Sequence, residues 1–298
     1  MSAGRFDIDV ALATCAALPE PDPDAVPLTA ALQDAGLAVT TLAWDAADSD
    51  WARASMTVLR STWNYPLRPE AFRAWLEQVA RATQLWNPLS AVRWNLHKSY
   101  LLDLARDGIE VTPTRILTAG SGATLSAVTR ACGWQDVVVK PAISAASFRT
   151  QRIRPGDGEA GEAHLRDLLA THDVLVQPYL PSVEDHGERA LVWIDGALTH
   201  AIRKTPRFSG QDESVSGESM PISPDEARLA RSVLSHVEDG LLYARVDVAP
   251  GLDGRPVIME LELIEPSLFF PQSDEALQRF VAGVRRRLDA LRSGERAL

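Results

Sequence analysis

Short β-branched apolar runs alternate with amphipathic helical stretches along the whole chain, and this alternation predicts an α/β construction rather than a helical bundle or a β-sandwich. Asp7 to Cys15 reads as a strand, Asp24 to Gly36 as a helix closed by glycine, and Leu37 to Leu42 as a second strand. Met56 to Arg60 is a third strand. It is followed by the aromatic loop Ser61-Thr-Trp-Asn-Tyr-Pro and by a helix, Pro69 to Thr83, whose Phe72, Trp75, Leu76 and Val79 share one face. Residues 1–92 therefore predict a small open α/β domain.

A chain of 298 residues exceeds what one core usually serves, so further lobes are expected. Residues 93–178 predict a middle lobe, with helices over Leu96 to Asp107 and Ala123 to Cys132 and strands near Arg115 to Thr118, Val137 to Val139 and Asp173 to Pro178. Residues 179–298 predict a third lobe. Its strands are Arg189 to Ile194, Ala197 to Arg203, Leu241 to Ala249 and Pro256 to Ile264; a polar loop covers Thr205 to Met220, and helices cover Pro224 to Glu238 and Asp274 to Arg292.

Charge and composition narrow the function. The net charge of −10 repels phosphate backbones and argues against a nucleic-acid partner. Two cysteines, Cys15 and Cys132, supply neither a disulfide framework nor a zinc site, which points to a reducing, cytoplasmic setting. No run is long and apolar enough to span a bilayer, and the first residues carry no export signal pattern, so no membrane partner is expected. A homodimer is the default expectation for a chain in that setting. Of the 30 cationic side chains only three are lysine, Lys98, Lys140 and Lys204, and compact ammonium groups suit point contacts to phosphate oxygens.

The sharpest constellation is Arg245-Val-Asp-Val paired with Ile258-Met-Glu-Leu-Glu around Asp253-Gly254, a dipeptide favoured in two-residue hairpin turns. That turn sets Asp247 opposite Glu260 and Arg245 opposite Glu262, with all four side chains on one face. An odd-length loop would separate the carboxylates onto opposite faces. Asp247, Glu260 and Glu262 form an all-oxygen set suited to Mg²⁺ or Mn²⁺. The alternative is a solvated face with an Arg245–Glu262 ion pair.

Lys140 ends a buried strand before Pro141 and the small-residue loop Ile143 to Phe148, whose Ser144 and Ser147 suit close approach of backbone N–H groups to phosphate. Arg60, with Ser61 beside it, offers a guanidinium fork for a substrate carboxylate, and Trp63 and Tyr65 offer walls; a core-packing aromatic loop is the other reading. Gly156-Asp-Gly-Glu-Ala-Gly fits dinucleotide spacing, but the charged run before it makes it a solvent loop. No P-loop, paired-histidine zinc motif or G-x-S-x-G elbow occurs.

In chain order these pieces resemble the ATP-grasp superfamily, in which an N-terminal α/β domain precedes two α+β lobes that clamp ATP. Arg93-Trp-Asn-Leu-His-Lys98 resembles the opening segment, Val137-Val-Val-Lys140-Pro the second lysine strand, and Val174-Leu-Val-Gln-Pro-Tyr-Leu180 the interlobe hinge. The resemblance implies that Lys98 and Lys140 contact phosphates, that Gln177, Tyr179 and Leu180 hold adenine, and that Glu184 sits at the ribose. It also implies Asp247, Glu260 and Glu262 as Mg²⁺ ligands, although asparagine is commoner at the last position, and catalytic roles for Arg203 and Lys204, with Arg207 nearby.

Arg60-Ser-Thr-Trp-Asn-Tyr-Pro, Glu260-Leu-Glu-Leu-Ile-Glu-Pro and Ser267-Leu-Phe-Phe are similar to glutathione-synthetase-like and RimK-like ligases, above all to O-ureido-serine cyclo-ligases. What this implies is a small-molecule carboxylate activated as an acyl phosphate and attacked by nitrogen of the same molecule. An intermolecular carboxylate–amine ligase and a non-catalytic ATP-binding regulator are the alternatives. The Ala145 loop and the segment Thr205 to Met220 are candidate lids.

Overall fold

The computed structural model describes residues 6–205, 214–237 and 240–294. Arg207 and half of the polar segment Thr205 to Met220, residues 206–213, lie outside the described residues.

Three sheets organise the chain. The first is parallel, ordered β2-β1-β3-β4, from β1 (Ile8–Thr14), β2 (Val39–Ala43), β3 (Ala54–Leu59) and β4 (Gln84–Trp86). Helices α1 (Ala25–Asp34) and α2 (Pro69–Ala82) connect these strands, and α3 (Leu89–Asn95) follows. Pro69 starts α2, where a missing N–H costs nothing, and Phe72, Trp75, Leu76 and Val79 are its buried face.

The second sheet, ordered β5-β8-β6-β7, is antiparallel. It comprises β5 (Arg115–Leu117), β6 (Val137–Pro141), β7 (Gln151–Ile153) and β8 (Val174–Pro178), with α4 (Tyr100–Arg106), α5 (Leu125–Cys132) and α6 (Gly158–Leu169) between and before the strands. The stretch expected as a solvent loop, Gly156 to Gly161, runs into α6 instead. Gly161 is buried where helix meets strand: a Cβ there would stand 2.6 Å from Ile153 Cγ2.

The third sheet is antiparallel and ordered β11-β10-β9-β12-β13. After α7 (Ser182–Asp185) come β9 (Glu188–Ile194), β10 (Ala197–Thr205), β11 (Ser214–Val215), α8 (Pro224–Leu234), β12 (Tyr243–Pro250), β13 (Pro256–Glu262) and α9 (Asp274–Ser293). Ser223 and Glu226 form a reciprocal capping box at α8, and α9 ends at Gly294 in the left-handed region. Among the described residues no helix is long and apolar enough to cross a membrane.

Packing cuts the chain differently from the expected boundary near residue 93. Ala91, Tyr100, Leu101, Leu104 and Ile109 share a core with Leu229, Val233, Val246, Ile258 and Leu261, so α4 packs with the third sheet, while α3 bridges that sheet and the first domain, its Val92 lying in the first domain's core. Asn95 explains much of this: its side chain donates to Leu261 O (2.8 Å) and accepts from Leu263 N–H (2.9 Å). The single helix expected over Leu96 to Asp107 is therefore interrupted between α3 and α4, and Lys98 stands in the break with its N–H donated to Ala142 O (2.8 Å).

Candidate active site

A cleft of about 200 Å³ opens between the second and third sheets and is walled on one side by the loop after β3. Strand alternation aims its residues. On β6, Val138 and Lys140 point into the cleft while Val137, Val139 and Pro141 are buried on the other side; Val138 lies opposite Gln177 of β8, which also lines the cleft. Gln177 is anchored by donating to Thr114 Oγ1 at 2.9 Å.

Lys98 and Lys140 meet on one carboxylate. Lys98 donates to Glu260 Oε1 and Lys140 to Glu260 Oε2, the latter at 3.3 Å. Burial would raise the Glu260 pKa, but Lys140 and Lys98 hold it down to about 2. Across the hairpin, Asp247 accepts from Arg245 Nε and Nη2, both at 2.8 Å, and from Lys204 Nζ at 2.7 Å. Burial again opposes ionisation there, and Arg245 and Lys204 overcome it. Arg245 also pairs with Glu262, and Lys204 with Glu188.

Glu262 and Glu188 are each pushed up to about 7. Burial is the main cause for both; Arg245 opposes it at Glu262 and Lys204 at Glu188, while nearby carboxylates reinforce it.

The hairpin reaches this arrangement by an unexpected route. Pro250 pairs with Pro256, leaving a five-residue loop whose odd length would flip the later side chains. A bulge at Met259 then adds one residue to β13, and Asp247↔Glu260 and Arg245↔Glu262 are restored as opposite pairs.

Tyr179, Leu180, Ser144, Ser147, Lys204, Trp63 and Tyr65 all line the cleft, with Val183 and Met259 adding to the apolar wall around Leu180. In the loop after β6, Ala146, Ser147 and Arg149 adopt φ of 47°, 56° and 52°, a left-handed region costly for side chains other than glycine. Glu184 does not line the cleft; it is exposed outside it and accepts from Tyr179 Oη (2.9 Å) and Arg152 Nη1 (2.7 Å).

Three further expected site residues do not line the cleft. Arg203 adjoins Lys204 on β10, so alternation turns it to the opposite, exposed face, where it donates to Asp185 O. Arg60 is buried behind the site: its Nη2 lies 3.2 Å from Asp24 Oδ2, and its guanidinium faces the Tyr243 and Phe270 rings. Ser61 turns towards Thr14, their hydroxyls 3.0 Å apart. Sequence reasoning missed Glu188 and Glu265 as cleft residues, and took Arg245 only as an ion-pairing neighbour. Glu188 was findable, because it is the direct cross-strand partner of Lys204.

Among the described residues no three His, Cys, Asp or Glu side chains converge as a formed metal cage, because lysines and arginines interpose between the carboxylates. The donor set still fits a hard divalent cation. Asp247, Glu260 and Glu262 are oxygen ligands on one wall, and Glu262 is a buried acid whose cationic compensation is incomplete.

Residues 10–87 match the family described as D-cycloserine synthetase DcsG, N-terminal domain. The chain is 33% identical to the cycloserine biosynthesis protein DcsG of Streptomyces lavendulae over 283 residues, covering 90% of this chain and 94% of that protein. The crystal structure of D-cycloserine synthetase DcsG superposes with a TM-score of 0.86 at 33% identity, covering 94% of this chain and 99% of that one. D-alanyl-alanine synthetase A of Vibrio cholerae shares the fold, with a TM-score of 0.72 at 14% identity over 96% of this chain and 100% of that one. At that identity and coverage, the chain belongs to the D-cycloserine synthetase family of ATP-grasp ligases, ATP-dependent enzymes that form carbon–nitrogen bonds.

Proposed function

We propose that the protein activates the carboxylate of O-ureido-D-serine with ATP as an acyl phosphate and closes the ring of D-cycloserine by attack of the oxygen-bound nitrogen of the same molecule, which displaces phosphate, the carbamoyl group being lost to water as carbon dioxide and ammonia. The observation that carries this reading is the meeting of Lys98 and Lys140 on Glu260 in a cleft shared by two lobes. Both ammonium groups meet in one place, and compact ammonium groups suit point contacts to phosphate oxygens.

The apolar wall of Val138, Leu180, Val183 and Met259 suits a purine, with Gln177, Tyr179 and the Leu180 backbone along its edge and Glu184 outside the cleft, beside Tyr179, for the ribose. Ser144 and Ser147 lie on the loop over the phosphates. Asp247, Glu260 and Glu262 would hold Mg²⁺, which supplies charge neutralisation of the β- and γ-phosphates. Lys204, rather than Arg203, stands where the oxyanion of acyl transfer needs a cation. Trp63 and Tyr65 wall the substrate end and exclude water from a hydrolysable acyl phosphate.

The test is product analysis of the purified protein with ATP, Mg²⁺ and O-ureido-D-serine. ADP, phosphate and D-cycloserine formed together are the expected result. Product formation that requires a second amine would replace ring closure with intermolecular ligation, and ATP binding without ADP release for any acid would replace catalysis with a regulatory role.

A further inference from the structure

The acids of the cleft are not equivalent. Glu188, Asp247, Glu260 and Glu262 each form an ion pair with a lysine or arginine of this chain. Glu265 lines the same cleft and is 7% exposed, yet among the described residues no lysine or arginine forms an ion pair with it. Its carboxyl faces the phenol of Tyr65.

The position is built rather than incidental. Trp63 Nε1 donates to Glu265 O at 2.9 Å, and Tyr243 Oη donates to Ile264 O at 2.8 Å, so the backbone on both sides of the Glu265 Cα is fixed. The backbone that carries the side chain is thereby fixed beside Trp63, and the side chain lines the cleft together with Trp63 and Tyr65.

A buried carboxylate is costly to ionise without a cation; among the described residues Lys98 acts on this one only as a more distant charge and none pairs with it, so a bound cation would complete it. The divalent ion has its own ligands in Asp247, Glu260 and Glu262. A primary ammonium group has the right charge and three N–H donors, for which the Glu265 carboxylate and the Tyr65 phenol oxygen are acceptors and the Trp63 indole a cation-binding face.

We infer that Glu265 binds the α-ammonium group of the substrate and so selects amino acids over plain carboxylic acids. The inference rests on the ligase reading above and specifies its substrate class.

The experiment is calorimetric titration of the full chain, loaded with Mg²⁺ and a non-hydrolysable ATP analogue. The ligands are two pairs: O-ureido-D-serine against its deaminated analogue, and D-serine against 3-hydroxypropanoate. The wild type should prefer the amino member of each pair by about ten- to a hundredfold, the range of one hydrogen-bonded charge pair. Glu265→Gln should shrink that preference to within about threefold while leaving nucleotide affinity unchanged. Glu265→Asp, which keeps the charge, should retain most of it.

Absence of any preference in both wild-type pairs overturns the inference, as does an equal loss for amino and deaminated ligands in Glu265→Gln. The same samples, given ATP, separate the two readings. Amino-selective binding without ADP release keeps the ammonium subsite and removes the ligase reading; ADP release with no amino preference does the reverse.

Discussion

Asp247 and Glu260 face each other across β12 and β13 only because a bulge at Met259 cancels the odd length of the hairpin loop. The pairing puts the two acids on the cleft wall, one compensated by Lys204 and Arg245 and the other by Lys98 and Lys140. Glu260 is thus a shared anchor for two ammonium groups. Glu260→Gln removes the charge they share, and kcat should fall at least about 100-fold, the scale of an electrostatic contact to a developing charge. Steady-state ADP release measures it, and a loss below about fivefold would remove Glu260 from the metal set.

Neighbouring residues on β10 should behave oppositely. Lys204→Ala leaves Asp247 and Glu188 short of a buried cation and should lower kcat by about 100-fold or more. Arg203→Ala, on the exposed face, should change kcat by less than about threefold. Equal effects in a kinetic comparison of the two variants would refute the face assignment.

The buried pair Asp24–Arg60 should matter for stability rather than for substrate. Asp24 also accepts from the N–H groups of Leu268 (2.6 Å) and Phe270 (2.8 Å), tying the segment after β13 to the start of α1. Asp24→Ala strands a buried guanidinium and should cost about 3–5 kcal/mol. Adding Arg60→Leu should recover part of the loss, which denaturant unfolding of the single and double variants would reveal.

His200 on β10 predicts acid sensitivity. Burial pushes its pKa down to about 4, whereas in the unfolded chain it titrates near 6.5. Between these values the unfolded chain binds the extra proton, so stability falls as pH drops from about 6.5 towards 4 and is unaffected by this residue above that window. The interval corresponds to at most about 3 kcal/mol. Thermal unfolding between pH 4 and 8 should show a shallower acid limb in His200→Leu than in the wild type.

Much of the site was legible because strand alternation and charge are local properties. Lys140 before Pro141, and acids two residues apart in an apolar strand, announce a polar face on a buried sheet without any tertiary information. What alternation cannot say is which of two adjacent residues faces inward. Arg203 and Lys204 are equivalent to a period-two argument, and only the pairing of Lys204 with Glu188 decides between them.

The hairpin shows a different limit. The register of Asp247 and Glu260 was anticipated, but through a two-residue turn; a five-residue loop and a bulge, neither visible in local composition, gave the same pairs. Arg60 fails for a third reason. Its partner Asp24 is 36 residues away, and a buried ion pair of that separation leaves no local pattern.

The terminal helix α9 shares one core with Val10, Leu12 and Leu28 of the first sheet domain and with Ala190, Val192 and Ile202 of the third sheet, whereas the second sheet closes its own core around Val139, Leu165 and Val176. The first and third sheets are thus joined through α9, and the second sheet meets the third along the cleft side, through Leu175 and Val138. The wall bearing Trp63, Tyr65 and Glu265 and the wall bearing Asp247 and Glu260 therefore stand on elements tied together by one terminal helix.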